Sequence, residues 1–332
     1  MMPPADRPQV TVLMPTWNRL PYLPEAVESV LAQTLPDLEL LVIDDGSTDQ
    51  SLDWLKGRAN GDSRLRPLSQ AHAGISSALN HGLAAARGTW IARLDSDDAW
   101  HPDFLSQQMR LAAQHPEAHA IYSRAEAAND QLEPKGYLRG TPPVMPDDPL
   151  GSLLLGDFTC NITVVARRKD IADVGGWREQ FPHGEDWDLW LRIARLGPFH
   201  FNPAVLARYR EHGDNITQQC WHDMPEVRAE ILKAHFADPD FPSSALRWRG
   251  TAFRRQHVNG AMAAISTGHW RQGFTRLRNA FNEGDGCLKT LGYTLVQGVA
   301  WIVVPRFPSV AKFHRRLLRY RDRRRSKRGV QT

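Results

Sequence analysis

The chain has 332 residues, of which 42% are hydrophobic and 23% charged, and this composition is typical of a globular protein with one large domain or two modest ones. The three cysteines (Cys160, Cys220 and Cys287) are too far apart to form a metal-binding set and indicate a reducing compartment. The first eight residues are rich in proline and contain no apolar signal core, so we do not expect secretion through a signal peptide.

The net charge of +4 is unevenly distributed along the chain. Residues 312–332 contain ten Lys/Arg and one acidic residue, which leaves 31 Lys/Arg against 36 Asp/Glu, a balance of −5, in residues 1–311. The body is therefore mildly acidic and the carboxyl-terminal segment strongly basic, and the two need separate explanations.

Hydrophobic segments in the first hundred residues predict alternating strands and helices. Apolar runs at 10–14, 38–43 and 90–94 predict buried strands, and the spacing at 22–33 and 74–86 predicts helices. Such alternation is typical of a parallel sheet covered on both faces, in which ligands gather at the carboxyl ends of the strands. A polar loop follows each of the three strands, so we expect the three loops to converge.

The loop after the third of these strands contains an acidic cluster of Asp95, Asp97 and Asp98. Carboxylates this close repel one another, so a cation between them is expected. Hard oxygen ligands favour Mg²⁺ or Mn²⁺, which proteins often share with a substrate phosphate. The alternative is a solvated acidic turn that caps the helix beginning near Pro102. No glycine-rich dinucleotide loop follows the first strand and no P-loop is present, which disfavours both of those sites.

Four motifs occur in order over about a hundred residues: Pro15-Thr16-Trp17-Asn18-Arg19, Asp44-Asp45-Gly46-Ser47-Thr48-Asp49, Gly74-Ile75-Ser76-Ser77-Ala78-Leu79-Asn80-His81-Gly82 and Asp95-Ser96-Asp97-Asp98. Together they resemble the family 2 glycosyltransferases. The resemblance implies a GT-A fold, which is an α/β, Rossmann-like, mostly parallel central sheet with helices on both faces, here with a helical C-terminal extension. It also implies inverting sugar transfer from a nucleoside-diphosphate sugar.

Two later motifs extend the resemblance. Glu185 and Asp186 begin a predicted helix, and the family carries a Glu-Asp pair here whose aspartate acts as catalytic base; simple helix capping is the alternative. The segment Tyr209-Arg210-Glu211-His212-Gly213-Asp214-Asn215 is similar to a family motif whose histidine approaches the metal and diphosphate. The alternative for His212 is an ordinary surface histidine.

The resemblance assigns a role to each candidate residue. Catalysis is implied for Asp186 and Glu185, and ligation of Mn²⁺ or Mg²⁺ for Asp97, Asp95 and His212. Binding of the nucleotide sugar is implied for Pro15, Thr16, Asn18, Arg19, Asp44, Asp45, Asn80, Asp95 and Ser96. Within this set, Asp45 is expected to read the imide of the nucleobase.

We expect four regions along the chain: a flexible lead at 1–8, a GT-A catalytic domain at 9–220, a helical region at 221–311 and a basic tail at 312–332. The catalytic domain is expected to divide into a nucleotide-binding half at 9–100 and an acceptor half at 101–220. Further elements are predicted at 50–56, 104–114, 224–235 and 274–281 (helices) and at 64–68, 118–123, 160–166 and 205–210 (strands, the last at an edge). Residues 129–148 are predicted to form a loop that covers the acceptor side.

The apolar segment 291–304 is shorter than the roughly 20 residues that span a bilayer, and the basic tail follows it. This order favours an anchor at 291–328 that lies on an anionic membrane surface. A docked helix with a solvated tail is the alternative, and contact with nucleic acid is disfavoured because aromatic residues are sparse there. We expect a cytoplasmic protein, peripheral on the inner membrane if the anchor interpretation holds.

The expected function is metal-dependent transfer from a nucleoside-diphosphate sugar, with a UDP-sugar favoured, to the hydroxyl of a carbohydrate or lipid-linked acceptor. Polysaccharide, lipopolysaccharide or glycolipid biosynthesis is the implied setting. The competing interpretation is a non-catalytic nucleotide-sugar-binding or membrane-surface adaptor protein that acts through its basic tail. A nucleotidyltransferase is disfavoured because no basic phosphate-binding loop lies near the first strand.

Overall fold

The computed structural model describes residues 7–283 of the chain. The predicted anchor at 291–328, the basic tail and most of the amino-terminal lead lie outside the described residues. The chain folds into two compact units: the first runs to Gln218 and includes Pro242–Ala245, and the second comprises Gln219–Phe241 and continues from Leu246.

The first unit is built on a single mixed sheet. Its strands are β1 (Val10–Thr16), β2 (Leu38–Asp44), β3 (Leu65–Ser69), β4 (Trp90–Arg93), β5 (Ala99–Trp100), β6 (Ala120–Ala128), β7 (Pro134–Arg139), β8 (Val165–Arg167) and β9 (Phe199–Arg210). Their order across the sheet is β3-β2-β1-β4-β8-β6-β9-β5, with β7 paired to β6. Strands β1 to β4 are parallel to one another, β8 is antiparallel to both of its neighbours, and β6 and β9 are parallel.

Helices connect these strands and continue into the second unit. They are α1 (Leu23–Leu31), α2 (Ser51–Ala59), α3 (Ile75–Ala85), α4 (Phe104–Gln114), α5 (Pro149–Leu155), α6 (Arg168–Asp173), α7 (Glu185–Ile193), α8 (Ile216–Gln219), α9 (Met224–Ala237), α10 (Arg249–Ser266) and α11 (Trp270–Asn282). The predicted α/β class with carboxyl-terminal helices is confirmed.

The core of the first unit forms where apolar faces meet the sheet. All seven residues of β1 and of β2 are buried, which is why both strands are nearly continuous apolar runs. Helix α1 buries Leu23, Ala26, Val27, Val30 and Leu31, the face that its spacing predicted. Burial of each leucine or valine side chain contributes about 1.5–3 kcal/mol, so this face holds α1 against the sheet.

One buried charge ties the parallel strands together. The carboxylate of Glu39 on β2 accepts hydrogen bonds from the hydroxyl of Thr11 on β1 (2.7 Å), from Arg66 on β3 (2.6 Å) and from Arg87 before β4 (2.8 Å). Burial alone would raise the pKa of Glu39, but these hydrogen bonds lower it below its usual value. Ionised Glu39 therefore links β1, β2 and β3 to the turn that precedes β4.

Three predicted elements differ from the structure. Residues 129–148 contain β7, whose side chains are mostly exposed and therefore gave no hydrophobic period. The predicted strand at 160–166 is a short 3₁₀ helix (Asn161–Thr163) followed by β8. Strand β9 begins before the predicted position and lies between β6 and β5 rather than at an edge.

Up to residue 283, the helices of the second unit are α9, α10 and α11. Helix α10 packs against both others, and Arg276 of α11 forms an ion pair with Glu226 of α9. Trp270 and Phe274 of α11 remain largely exposed. Among the residues that the structure describes, no helix has both the length and the apolar character needed to cross a membrane.

Candidate active site

The parallel order of β1, β2 and β4 brings the polar loops that follow them to one edge of the sheet. Thr16 at the end of β1 is the register partner of Asp44 at the end of β2, and Leu13 is the partner of Arg93 at the end of β4. The three loops therefore begin side by side, as the alternation of strands and helices predicted.

The loop after β1 is fastened to the loop after β2. Asn18 has a positive φ of 51°, its amide oxygen accepts a hydrogen bond from the Thr48 N–H (2.8 Å), and its own N–H donates to the Ser47 hydroxyl (2.9 Å). Asn18 thus shapes the site through the backbone. The neighbouring Trp17 is 48% exposed and stacks on His72 with ring centroids 4.4 Å apart, an aromatic surface that the sequence-based site did not include.

The two aspartates after β2 have different environments. Asp45 accepts hydrogen bonds from the N–H groups of Ala73 (2.9 Å) and Gly74 (2.8 Å) and from the Gln70 amide (2.8 Å). Its carboxylate therefore holds the start of α3, and a nucleobase would have to share these acceptor positions. Asp44 accepts from the N–H of Ser47, at the limit of ordinary length (3.2 Å), through one oxygen only.

Two buried oxygens at this point lack a partner within residues 7–283. They are Oδ1 of Asp44 and the hydroxyl oxygen of Thr16, which stand on register-paired residues. Buried polar atoms are nearly always hydrogen-bonded in native proteins, so these two oxygens are expected to accept hydrogen bonds from a bound molecule. Pro15 is buried beside them within β1 and supplies shape rather than a polar contact.

Asn80 lies on α3 and binds protein backbone. Its amide donates to the Trp177 carbonyl (2.7 Å) and accepts from the Trp177 N–H (2.9 Å). Gly176, which has a positive φ of 69°, approaches so closely that a Cβ would lie 2.5 Å from the Asn80 oxygen. Asn80 thus fixes the glycine turn that precedes α7. Because both ends of its amide are hydrogen-bonded to Trp177, its geometry favours this structural role over contact with the nucleotide.

Asp97 and His212 form a close pair. His212 Nε2 lies 3.0 Å from Asp97 Oδ2, and the Arg19 guanidinium lies 3.6 Å from the same oxygen. Arg19 also donates to the Asp214 carbonyl (2.9 Å), and Tyr22 stacks on the imidazole with centroids 4.7 Å apart. The loop after β1, the acidic loop after β4 and the end of β9 therefore meet at Asp97.

This pair fits a divalent cation. Adjacent ligands of an octahedral Mg²⁺ or Mn²⁺ at about 2.1 Å stand about 3.0 Å apart, the separation seen between Nε2 and Oδ2. The Asp214 N–H donates to Nδ1 of His212 (3.2 Å), so in the neutral imidazole Nε2 carries the proton that points toward Asp97. A cation between the two side chains would replace that proton.

Asp95 does not join the pair. One of its oxygens accepts from the Arg93 guanidinium (2.8 Å), and Asp95, Asp97 and His212 do not all bring a ligand atom within 4.8 Å of one another. Burial raises the pKa of the Asp95 carboxyl, and the charge of Asp97 raises it further, against the opposing effect of Arg93. Ser96 is buried between the two aspartates.

Asp98 and Arg210 shape the acidic loop from behind. The Arg210 N–H donates to the Asp98 carboxylate (2.7 Å), and its guanidinium donates to the Asp97 carbonyl (2.6 Å) and to Glu25 (2.6 Å). Complete burial, reinforced by the charges of Asp97 and Asp95, raises the pKa of Asp98 well above its usual value. Arg210 is a positioning residue that sequence reasoning quoted within a motif but did not assign.

Arg93 connects the acidic loop to the start of α7. Its guanidinium donates to Asp95 (2.8 Å) and to Glu185 (3.0 Å), and the amide oxygen of Asn161 accepts from it at 2.9 Å when the amide is oriented to satisfy both groups. Sequence reasoning missed Arg93, although a buried arginine inside the apolar strand β4 was an available signal.

The structure separates the two acids of α7. Glu185 is buried against Arg93, and burial, followed by the charge of Asp186, raises its pKa. Asp186 is half-buried; its Oδ1 accepts from the Trp187 N–H (2.7 Å), and its Oδ2 makes no hydrogen bond to the described residues. Glu185 therefore positions the helix start, and Asp186 presents an open carboxylate oxygen.

The chain is similar in sequence to known glycosyltransferases. Residues 11–166 match the sequence profile of the glycosyl transferase family 2 proteins. An uncharacterized glycosyltransferase of Rickettsia felis is 28% identical over 213 residues, which cover 62% of this chain and 35% of that protein. The putative teichuronic acid biosynthesis glycosyltransferase TuaG of Bacillus subtilis is 28% identical over 239 residues, covering 69% of this chain and 91% of that protein.

Solved structures share the fold at low identity. TarS 1–349 of S. aureus, in complex with UDP-GlcNAc, has a TM-score of 0.65 at 17% identity and covers 88% of this chain and 89% of that chain. The mannosyltransferase PcManGT of Pyrobaculum calidifontis, in complex with GDP-Man and Mn²⁺, has a TM-score of 0.59 at 19% identity. The match covers 90% of this chain and 81% of that chain.

The chain spans about a third of the length of the first curated relatives that it matches, two Rickettsia proteins. The matched region nevertheless contains the polar loops after β1, β2 and β4, which meet at one edge of the sheet. By the family profile, residues 11–166 of the chain belong to glycosyltransferase family 2, and these relatives and the GT-A-like fold agree with that assignment.

Proposed function

We propose that the protein is a metal-dependent inverting glycosyltransferase that moves a sugar from a nucleoside-diphosphate sugar to an acceptor hydroxyl. The observation that carries the proposal is the Arg93 bridge, because it sets the acidic loop of Asp95 and Asp97 beside the helix start that bears Asp186. A donor-binding acidic loop and a base on a separate element are the two parts that such a reaction needs.

Asp97 and His212 would hold the cation, with Arg19 beside them and Asp95 next along the loop. When bound, Mn²⁺ or Mg²⁺ would supply Lewis-acid stabilisation of the diphosphate as negative charge gathers on it. The Mn²⁺ in the PcManGT complex supports this choice of cofactor. Arg19 would add a positive charge on the same side, close to the leaving group.

The loops after β1 and β2 are proposed to bind the nucleoside. Asp44 and Thr16 offer buried oxygens without donors, Asp45 lies beside them, and the exposed Trp17 ring offers a stacking surface. An imide N–H of uracil would meet the demand of an acidic acceptor, and the UDP-GlcNAc complex of TarS supports a UDP-sugar as donor. We favour Asp44 over Asp45 for this contact because Asp45 is already hydrogen-bonded through both oxygens.

Asp186 is proposed to be the general base. Its Oδ2 is open, whereas Glu185 is occupied by Arg93, so Asp186 is the member of the pair able to take the proton of an acceptor hydroxyl. Attack by that hydroxyl on the face opposite the diphosphate gives inversion in a single displacement. A base so placed contributes about 10²–10⁴-fold to the rate.

The acceptor is proposed to be a carbohydrate or lipid-linked sugar in polysaccharide, lipopolysaccharide or glycolipid biosynthesis, which the likeness to TuaG supports. We also propose that residues 291–328 bring the enzyme to an anionic membrane surface at the cytoplasmic face, since ten basic residues follow an apolar segment. Co-sedimentation with anionic vesicles, compared between the full chain and a chain ending at residue 307, tests the membrane contact; equal binding would refute it.

Calorimetric titration with UDP, GDP, CDP and dTDP, each with Mn²⁺ and with EDTA, tests the proposal. We expect one nucleotide, UDP, to bind with Mn²⁺ and to lose at least tenfold in affinity with EDTA. Asp97→Ala should abolish the difference between Mn²⁺ and EDTA, while Asp53→Asn, at an exposed aspartate of α2, should behave as wild type. Failure of all four nucleotides would favour an adaptor that acts through the basic tail.

A further inference from the structure

A second group of metal-ligating side chains lies away from the candidate active site. His115 follows the last turn of α4, Glu117 lies two residues later in the connection to β6, and His200 is the second residue of β9. One ligand atom from each lies within 4.8 Å of the others. Among the described residues, no other three His, Cys, Asp or Glu side chains meet this condition. The three come from two separate segments that the sheet brings together.

The distances match those between ligands of one ion. Glu117 Oε1 lies 3.1 Å from His115 Nδ1 and 3.0 Å from His200 Nε2. Two ligands of a tetrahedral zinc ion at about 2.0 Å stand about 3.3 Å apart, so a small movement would seat an ion between all three atoms. The imidazole rings stack with centroids 3.8 Å apart, which keeps both on the same side of the carboxylate.

The orientation of His200 relative to Glu117 also favours an ion bound between them. Its Nε2 is buried, and although Glu117 is at ion-pair distance, no group within residues 7–283 meets the angular criteria of a hydrogen bond to this nitrogen. A hydrogen bond would align the ring nitrogen with the oxygen. Two ligands of a common ion instead direct their lone pairs at the ion and not at each other, which agrees with the relation between His200 and Glu117, whereas His115 Nδ1 is within hydrogen-bond geometry of the same oxygen (3.1 Å).

The group is distinct from the candidate catalytic metal site. Strand β9 runs from the start of the group to Arg210; its partner β6 covers the same stretch from Ile121 to Ala128, which spans about 23 Å of strand. His212, just beyond that end, pairs with Asp97. The two imidazole–carboxylate groups therefore occupy opposite ends of β9.

We propose that His115, Glu117 and His200 bind one transition-metal ion of the zinc class, with water completing its coordination. Two imidazoles and one carboxylate favour Zn²⁺, Co²⁺, Ni²⁺ or Cu²⁺ over Mg²⁺, which prefers oxygen ligands. The side chains are 37%, 53% and 25% exposed, so the group lies at the surface, with His115 and Glu117 more open to solvent than His200. Bound there, the ion joins the end of α4 to the start of β9.

Metal binding by the full-length chain tests the proposal. The background is Asp97→Ala, with excess Mg²⁺ present, so that the signal does not arise at the catalytic edge. We expect one Zn²⁺ per chain in competition with a chromophoric chelator, and d–d absorption bands of low-symmetry Co²⁺ on replacement. His115→Gln and His200→Gln should each weaken Zn²⁺ binding more than about 100-fold, since loss of a direct ligand exceeds the 10–100-fold typical of outer partners.

His101→Gln is the matched control, because His101 is an exposed histidine near the other end of α4, and it should bind as the background does. Thermal unfolding without metal checks that each variant folds; His115 caps a helix end at the surface, so its variant remains informative if His200→Gln is unstable. The proposal is overturned if the background chain binds no stoichiometric Zn²⁺, or if both glutamine variants keep its affinity. Either result would leave a stacked histidine pair with an ordinary surface carboxylate.

Discussion

At the scale of single residues, Arg93 carries the geometry of the candidate active site. Its guanidinium is buried and holds Asp95 and Glu185 at the same time, so its fork of donors fixes the distance between the acidic loop and α7. Lysine would keep the charge but offers a single ammonium that cannot reach both carboxylates in this geometry.

We therefore expect Arg93→Lys to lower kcat by about 10²-fold, because small misplacements of catalytic groups cost about this much. The affinity for the donor nucleotide should change far less than kcat, since Asp97 and His212 are untouched. Arg168→Lys is the matched control, because Arg168 donates a hydrogen bond to the Gly88 carbonyl (2.7 Å) that lysine can replace. Equal kcat values for Arg93→Lys and the control would contradict the bridging role.

The sequence predicted which segments contribute to the site better than it predicted the task of each side chain. Asn18 and Asn80 stand inside motifs that resemble those of the family, yet both bind backbone groups of neighbouring loops. Such contacts join residues that are 30 and 97 positions apart, and local pattern contains no information about them. The charge inside the apolar strand β4 was a local signal for Arg93, but its partner Glu185 lies 92 residues away, so its role in joining the two elements could not be predicted.

At the scale of elements, Glu39 links three parallel strands through charged hydrogen bonds. Its folded-state pKa is lowered, so the stabilisation is present above the unfolded value of 4.5 and is lost as the pH falls through the folded value. We expect Glu39→Gln to reduce the free energy of unfolding by about 2 kcal/mol at pH 7, an amount limited by the partial exposure of Arg66 and Arg87.

Urea unfolding at pH 7 and at pH 3.5 measures this effect. The difference between wild type and Glu39→Gln should shrink at the lower pH, because pH 3.5 lies below the unfolded value of 4.5 and protonation of the unfolded chain removes part of the stabilisation. Glu28→Gln is the matched control, since Glu28 and Arg58 form an exposed ion pair that is worth about 0–1 kcal/mol. A difference for Glu39→Gln that is the same at both pH values would contradict the assigned pKa direction.

Elements with a clear hydrophobic period were predicted well, and those without one were not. Helix α4 has the predicted bounds of 104–114, and its buried face includes Phe104, Leu105 and Met109. Strand β7 has exposed side chains and is held instead by ion pairs of Lys135 and Arg139 with Glu211. These pairs join residues 72 or more positions apart, so the local sequence predicted a loop at 129–148 instead of a strand.

At the scale of the whole molecule, composition and motif order led to the correct class of fold. The family profile covers residues 11–166, whereas Asp186 and His212 lie beyond its end. The structure brings these later residues to the matched part through Arg93 and Asp97. These contacts between the matched part and the later residues depend on the order of strands in the sheet, in which β8, β6 and β9 follow β4. No local pattern in the sequence predicted that order.

The most direct test of the account is transfer and binding by Asp186→Asn, measured on the same preparation. We expect sugar transfer to fall by about 10²–10⁴-fold, the usual contribution of a general base. Mn²⁺-dependent binding of the nucleotide should stay within about threefold of wild type, because the Asp97–His212 pair is intact. Full transfer by Asp186→Asn would contradict the assignment of the base, and with it the single-displacement mechanism proposed for this site.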